Sequence, residues 1–230
     1  MTTVRTGLEV LLEQRLDLIA GKRVGLITNH AGVHRRLEST VDLLAQHPDV
    51  QLTALFAPEH GLRGDVQAGE SVATFTDDRT GLPVYSLYGP TRATRKPSAA
   101  MLENVDVLVC DLQDGGSRYF TYLSTMGYAM EAAAEQEVPF IVLDRPNPIG
   151  GVAIEGNLPV NEFLSFVGAY SVPIRHGLTL GEFARFINIE HEIGAELIVV
   201  PMEGWRRDMY FWETGLPWVQ PSPNVPTPMT

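Results

Sequence analysis

The sequence predicts an α/β domain built on a mainly parallel, doubly wound sheet with helices on both faces. Three observations carry that expectation. Apolar runs of strand length alternate with segments of helical period along the chain; several runs, such as residues 24–28 and 140–143, are apolar almost throughout; and four runs stop abruptly at polar residues. Strands without polar alternation are those covered on both faces, which is the habit of parallel sheets.

Taken in order, Leu8, Leu11, Leu12, Leu16 and Ile19 share one helical face, which Gly21 stops. Residues 24–28 follow as a strand that ends at Asn29-His30-Ala31-Gly32, and a helix over about 39–47 is stopped by Pro48. The strand at 50–57 runs into Pro58-Glu59-His60-Gly61. Residues 62–81, rich in Gly, Asp and Thr, read as one long loop, a kind of segment that is usually functional. Strands at 82–88 and 105–110 come next, the second ending at Asp111-Leu-Gln-Asp114-Gly-Gly. A helix over about 119–136 leads to the strand at 140–143, which ends at Asp144-Arg145-Pro-Asn147-Pro. Thr179 and Glu182, three apart, form a capping box opening a helix whose Leu180, Phe183, Ala184 and Ile187 share a face. Residues 196–202 supply the last strand. Five prolines between Pro217 and Pro228 exclude helix there and disfavour central strand. The expected organisation is an α/β catalytic domain over 1–215, then a Pro-rich linker, or the start of a further domain, over 216–230.

Seventeen Lys+Arg against 28 Asp+Glu leave a formal net charge of −11. Such a surface repels phosphate backbones and anionic lipid, so neither nucleic acid nor membrane insertion is expected. One cysteine, Cys110, forms no internal disulfide and no cysteine-cluster zinc site. No apolar run approaches the roughly 20 residues of a membrane span. Arg5, Glu9, Glu13, Arg15 and Asp17 punctuate the first segment, so as written it is no signal peptide. The chain therefore reads as cytoplasmic, with an extracellular or periplasmic location requiring an export signal removed from it.

Chemistry gathers at the strand ends. Asn29-His30, Glu59-His60, Asp111 with Asp114, and Asp144-Arg145 with Asn147 each follow a strand, and parallel sheets bind ligands outside those carboxyl ends. A shared cleft is expected. Pro58 and Gly61 frame Glu59 either as a rigid carboxyl at the cleft mouth or as a solvated residue in a tight turn. Asp111 and Asp114 are candidate catalytic carboxylates or helix caps. Asp144 and Arg145 form either a structural ion pair or a substrate contact. His176 is a loop histidine or a ligand contact, and Trp205, Tyr210, Phe211, Trp212 and Trp218 form a satellite core or a stacking platform for a sugar face. Nucleotide-binding glycine motifs, the serine-hydrolase elbow and H-E-x-x-H are missing. No cofactor or metal is expected.

These motifs stand in a recognisable order: Pro58-Glu59-His60-Gly61, Asp111-Leu-Gln-Asp114, Arg118-Tyr119, Asp144 to Gly151, Glu155-Gly156, His176 to Glu182, and Pro221 to Pro226. Together they resemble the bacterial exo-β-N-acetylmuramidase family. The resemblance implies a Rossmann-like larger domain, a smaller domain absent from this chain, and an active site in the cleft between them. It further implies release of terminal N-acetylmuramic acid from the non-reducing ends of peptidoglycan fragments, so the expected partners are muramic-acid saccharides. Glu59 matches the family's catalytic acid, with His60 beside it and Asp111 or Asp114 as its partner. Asn29, His30, Arg63, Arg118, Asp144, Arg145, Asn147, Glu155 and His176 are the expected substrate contacts, with Arg63, Arg118 or Arg145 meeting the lactyl carboxylate. Gly115-Gly116 departs from the family's usual hydrophobic residue after Asp-Leu-Gln-Asp. Two other readings stay open. One is a metal-dependent hydrolase or phosphoesterase using Glu59, Asp111 and Asp114; the other is a non-catalytic module that binds muramic sugars.

Overall fold

A computed structural model describes residues 3–64, 66–70 and 73–229. Among the described residues, seven strands form one sheet: β1 (Arg23–Thr28), β2 (Gln51–Ala57), β3 (Phe75–Thr76), β4 (Pro83–Ser86), β5 (Val107–Asp111), β6 (Phe140–Leu143) and β7 (Leu197–Val200). Their spatial order is β3-β4-β2-β1-β5-β6-β7, and every pairing is parallel except β3 with β4. The chain moves outward from β1 through β2 to β4, then crosses back to β5 and moves outward on the other side. The switch point therefore lies between β1 and β5, where Thr28 pairs in register with Asp111.

Among the described residues, six helices flank the sheet: α1 (Gly7–Gln14), α2 (Thr40–Gln46), α3 (Arg92–Arg95), α4 (Ala99–Leu102), α5 (Thr121–Glu135) and α6 (Leu180–Glu190). One core packs Leu8, Leu11 and Val41 of α1 and α2 onto Leu26, Leu55 and Val109 of the sheet. The opposite core packs Tyr122, Met126, Met130, Phe183 and Ile187 of α5 and α6 onto Phe56, Cys110 and Val142. All five residues of β5 are buried, as a strand covered on both faces requires.

The expected helices and principal strands are present, most within two residues of their expected ends. The first helix instead stops at Gln14, and a separate 3-10 turn at Leu16–Leu18 carries the chain toward Gly21. In the expected capping box, the Thr179 hydroxyl accepts from Glu182 N at 3.2 Å and the Glu182 carboxylate accepts from Thr179 N at 3.0 Å. The expected loop at 62–81 is interrupted by β3, which pairs antiparallel along the sheet edge; positions 65, 71 and 72 of it lie outside the described residues. Residues 217–229 form neither helix nor strand. Part of the segment lies against the carboxyl edge of the sheet, where Pro221 and Ser222 are buried.

Candidate active site

The carboxyl ends of β1, β2 and β5 meet the first turn of α5. The turn after β2 carries Glu59. Gly61 N donates to Pro58 O at 3.1 Å to close that turn, and His60 (φ 73°) and Gly61 (φ 75°) both take left-handed backbone. A non-glycine residue held there is uncommon and costs energy, which the surrounding packing supplies. His60 is buried, with Nδ1 3.1 Å from Val66 O, so its backbone aims the preceding carboxylate while its ring braces the loop.

Glu59 is half-buried, and its carboxylate accepts from the Thr121 hydroxyl at 2.6 Å and from Gly69 N at 2.9 Å. Its charge also acts on Tyr88: burial first, then the Glu59 charge, raises the Tyr88 pKa. Thr121 is the first residue of α5, so the carboxylate lies at a helix N-terminus, where negative charge is favoured. Glu59, His60, Ala68, Tyr119, Phe120, Thr121, Tyr122 and Ser222 line a cleft of about 130 Å³.

Tyr122 joins this cleft to the switch point. Asn29 Nδ2 donates to its hydroxyl at 2.7 Å, and the hydroxyl donates to Pro221 O at 2.5 Å. Burial raises the Tyr122 pKa, and the nearby charges of Glu59 and Asp114 raise it further. The same C-terminal segment is held by His30, whose Nε2 lies 2.7 Å from Gln220 O. Asn29 and His30 therefore support the cleft wall, Asn29 through Tyr122 and His30 through the segment that leads to Ser222.

Asp114 and His176 face each other. Asp114 Oδ2 accepts from Gly116 N at 2.7 Å and lies 3.8 Å from His176 Nε2. Leu178 N donates to His176 Nδ1 at 3.1 Å, which places the neutral ring's proton on Nε2. Asp114 Oδ1 and His176 Nε2 are both buried without a hydrogen-bond partner among the described residues. Such orphaned groups cost free energy unless a water or ligand atom meets them. Arg118 is also buried, yet its hydrogen bonds go to neutral acceptors: Asn157 O at 2.6 Å, Val172 O at 2.8 Å and the Tyr119 hydroxyl at 3.3 Å.

Other expected contacts are spent on the scaffold. Asp111 is fully buried and takes Arg145 bidentately, Nε to Oδ1 at 2.6 Å and Nη2 to Oδ2 at 2.8 Å, with the Thr40 hydroxyl also on Oδ2. The structural ion pair expected for Arg145 thus exists, but its partner is Asp111 rather than Asp144. Asp144 accepts from Gly181 N, Arg145 N and the Thr179 hydroxyl at the start of α6; burial raises its pKa to about 6. Asn147 donates to Leu178 O and accepts from Ile149 N. Arg63 is paired with Asp77 at 2.7 Å, and Glu155 is exposed and paired with Arg175 at 2.9 Å. The three-carboxylate metal set is not assembled, because Arg145 occupies Asp111, and no cluster of three metal-ligating side chains occurs among the described residues. Tyr88, Thr121, Tyr122 and Ser222 were not expected at the site; the start of a helix after the switch-point strand was the available signal for Thr121 and Tyr122.

Comparison with known proteins agrees with this architecture. Residues 24–229 match the model of a family described as exo-β-N-acetylmuramidase NamZ, N-terminal. The peptidoglycan β-N-acetylmuramidase NamZ of Bacillus subtilis (strain 168) is 55% identical over 224 residues, covering 97% of this chain and 53% of that protein. A solved DUF1343 family protein of Bacteroides fragilis NCTC 9343 superposes with a TM-score of 0.92 at 52% identity, covering all of this chain and 58% of that one. A second from the same organism gives 0.81 at 31% identity over 98% of this chain and 58% of its own. The chain thus spans about half the length of these relatives. With the match running over most of its residues, the chain belongs to the exo-β-N-acetylmuramidase NamZ family and corresponds to its N-terminal part.

Proposed function

We propose that the Glu59 cleft hydrolyses the glycosidic bond of a terminal N-acetylmuramic acid at the non-reducing end of peptidoglycan fragments, a step of cell-wall turnover or recycling. The observation that carries this reading is a half-buried carboxylate in a cleft whose wall residue Tyr122 feels both its charge and that of a second, buried carboxylate, Asp114. Glycoside cleavage needs one carboxylic acid to protonate the leaving oxygen and another carboxylate as nucleophile or water-activating base. Glu59 takes the first role, held in place by Thr121 and Gly69 N. Asp114 takes the second, since Asp111 is neutralised by Arg145. A water or sugar hydroxyl about 2.8 Å from both Asp114 Oδ1 and His176 Nε2 would satisfy the two orphaned atoms. The activity named for the Bacillus relative supports the same reading.

Replacing Glu59 by Gln keeps the hydrogen-bond acceptor oxygen but removes the proton donor. Glu59→Gln is expected to lower turnover of a chromogenic N-acetylmuramic acid glycoside by about 10²–10⁴ while the thermal midpoint stays near wild type. An unchanged kcat/KM would remove Glu59 from the mechanism. Binding of muramic sugars by the wild-type chain with no turnover would make recognition, not hydrolysis, the function of the cleft.

A further inference from the structure

The 3-10 turn at Phe211–Glu213 buries Phe211 and leaves Trp212 and Glu213 exposed. Phe211 is 4% exposed and packs edge-on against Trp218, while Tyr210 and Trp212 on either side are 38% and 53% exposed. Those two rings lie parallel, 6° apart in plane with centroids 4.7 Å apart. After stacking, more than half of Trp212 still faces solvent. The pair is held rigidly: the Glu213 carboxylate accepts from Tyr210 N at 2.8 Å, and Phe211 N donates to Pro148 O at 3.0 Å. A ligand stacking there meets a preformed surface and pays little ordering cost.

We propose that the Tyr210–Trp212 stack is a second, non-catalytic binding surface for an uncharged saccharide, separate from the Glu59 cleft. Two ligand classes stack on an exposed indole, a pyranose through its C–H face and a nucleobase through its ring. Local charge decides between them. Arg175 is paired with Glu155 at 2.9 Å, Arg206 with Asp208 at 3.2 Å and Arg207 with Glu182 at 2.6 Å. The cations beside the platform are thus cancelled, in a chain whose net charge is −11, whereas single-stranded nucleic acid requires a positive groove. A neutral, hydroxyl-rich ring needs none, and the exposed Glu155 carboxylate offers it an acceptor. Arg175 also bridges backbone to Ser117, just before Arg118 and Tyr119, so the platform and the cleft flank one strip of surface. A glycan reaching both would be held by more than its terminal sugar.

The choice of a cell-wall glycan as natural ligand rests on the proposed function; the surface does not. The test is isothermal titration calorimetry of the 230-residue chain with a chitin hexasaccharide, a neutral β-1,4 chain of N-acetylglucosamine without lactyl groups. Wild type and Glu59→Gln are expected to bind it alike. Trp212→Ala is expected to weaken binding about tenfold or more, and Trp212→Phe, which keeps an aromatic face, to retain most of it. Turnover of a small muramic acid glycoside should be unchanged in Trp212→Ala, which also shows that variant to be folded. Equal affinity for the hexasaccharide in wild type and Trp212→Ala overturns the proposal, as does no hexasaccharide binding by wild type, or tighter wild-type binding of a single-stranded oligonucleotide. If the hexasaccharide binds through Trp212 while the small glycoside is never cleaved, the platform stands and the hydrolase reading falls.

Discussion

Asp111 and Asp114 stand three residues apart at the end of one strand, and their partners divide their work. Arg145 takes both oxygens of Asp111 in a fully buried bidentate pair, so removal of either member would strand a buried charge. Asp114 keeps one oxygen unpartnered and faces His176. The guanidiniums divide likewise. Arg63 and Arg145 are ion-paired, while Arg118 bonds only neutral oxygens at the edge of the Glu59 cleft, where Tyr119 is both its neighbour and part of the wall. If the cleft takes muramic acid as proposed, this uncancelled buried cation is the group that would meet its lactyl carboxylate. Arg118→Lys is therefore expected to raise KM for an N-acetylmuramic acid glycoside about tenfold more than for the N-acetylglucosamine analogue, with kcat little changed. Parallel increases for both substrates in steady-state kinetics would show that Arg118 serves only to hold the loops at 157 and 172.

Elements differ in how openly the sequence announces them. The continuous apolar strands and the Thr179 capping box are local signals, and they appear where they were expected. The two-residue β3 fell inside the expected loop, and the four-residue α3 and α4, too short to establish a period, were not expected at all. Site legibility follows the same division. Strand ends were readable because apolar runs stop sharply, which placed Glu59 and Asp114 just beyond β2 and β5. The partner of Arg145 was not readable, because sequence adjacency favours Asp144 whereas strand pairing brings Asp111, 34 residues away, to the guanidinium. Contact across elements also governs Gly7, the first residue of α1. A Cβ there would stand 2.3 Å from Asp144 N and 2.6 Å from Val200 O, backbone atoms of the sheet that have no room to yield. Gly7→Ala is expected to destabilise the fold by about 2–3 kcal/mol in urea denaturation, despite alanine's better helix propensity. A neutral or stabilising result would mean that α1 shifts freely on the sheet.

At the scale of the molecule, Asp144 ties several of these parts together. Its carbonyl accepts from Gly7 N of α1, its amide donates to Val200 O of β7, and its carboxylate accepts from Thr179 and Gly181 at the start of α6. The carboxyl is buried, and that burial raises its pKa from 3.8 to about 6, against the lowering effect of the donors around it. The folded protein therefore holds this proton more tightly than the unfolded chain does. The resulting stabilisation is fully present below about pH 3.8 and disappears as pH rises through about 6. A shift of that size corresponds to about 3 kcal/mol. Other groups titrate with opposite sign, notably Asp106, which Arg23 holds at about 2, so wild-type stability alone does not isolate the effect. Asp144→Asn does, because its amide oxygen can accept from Gly181 N and the Thr179 hydroxyl can reverse to accept from its NH2, with no charge to bury. Between pH 4 and 7, the variant is expected to gain roughly 2–3 kcal/mol relative to wild type, measured by urea denaturation at both pH values. A constant difference across that range would place the Asp144 pKa near that of an ordinary carboxylate and remove burial as the force acting on it.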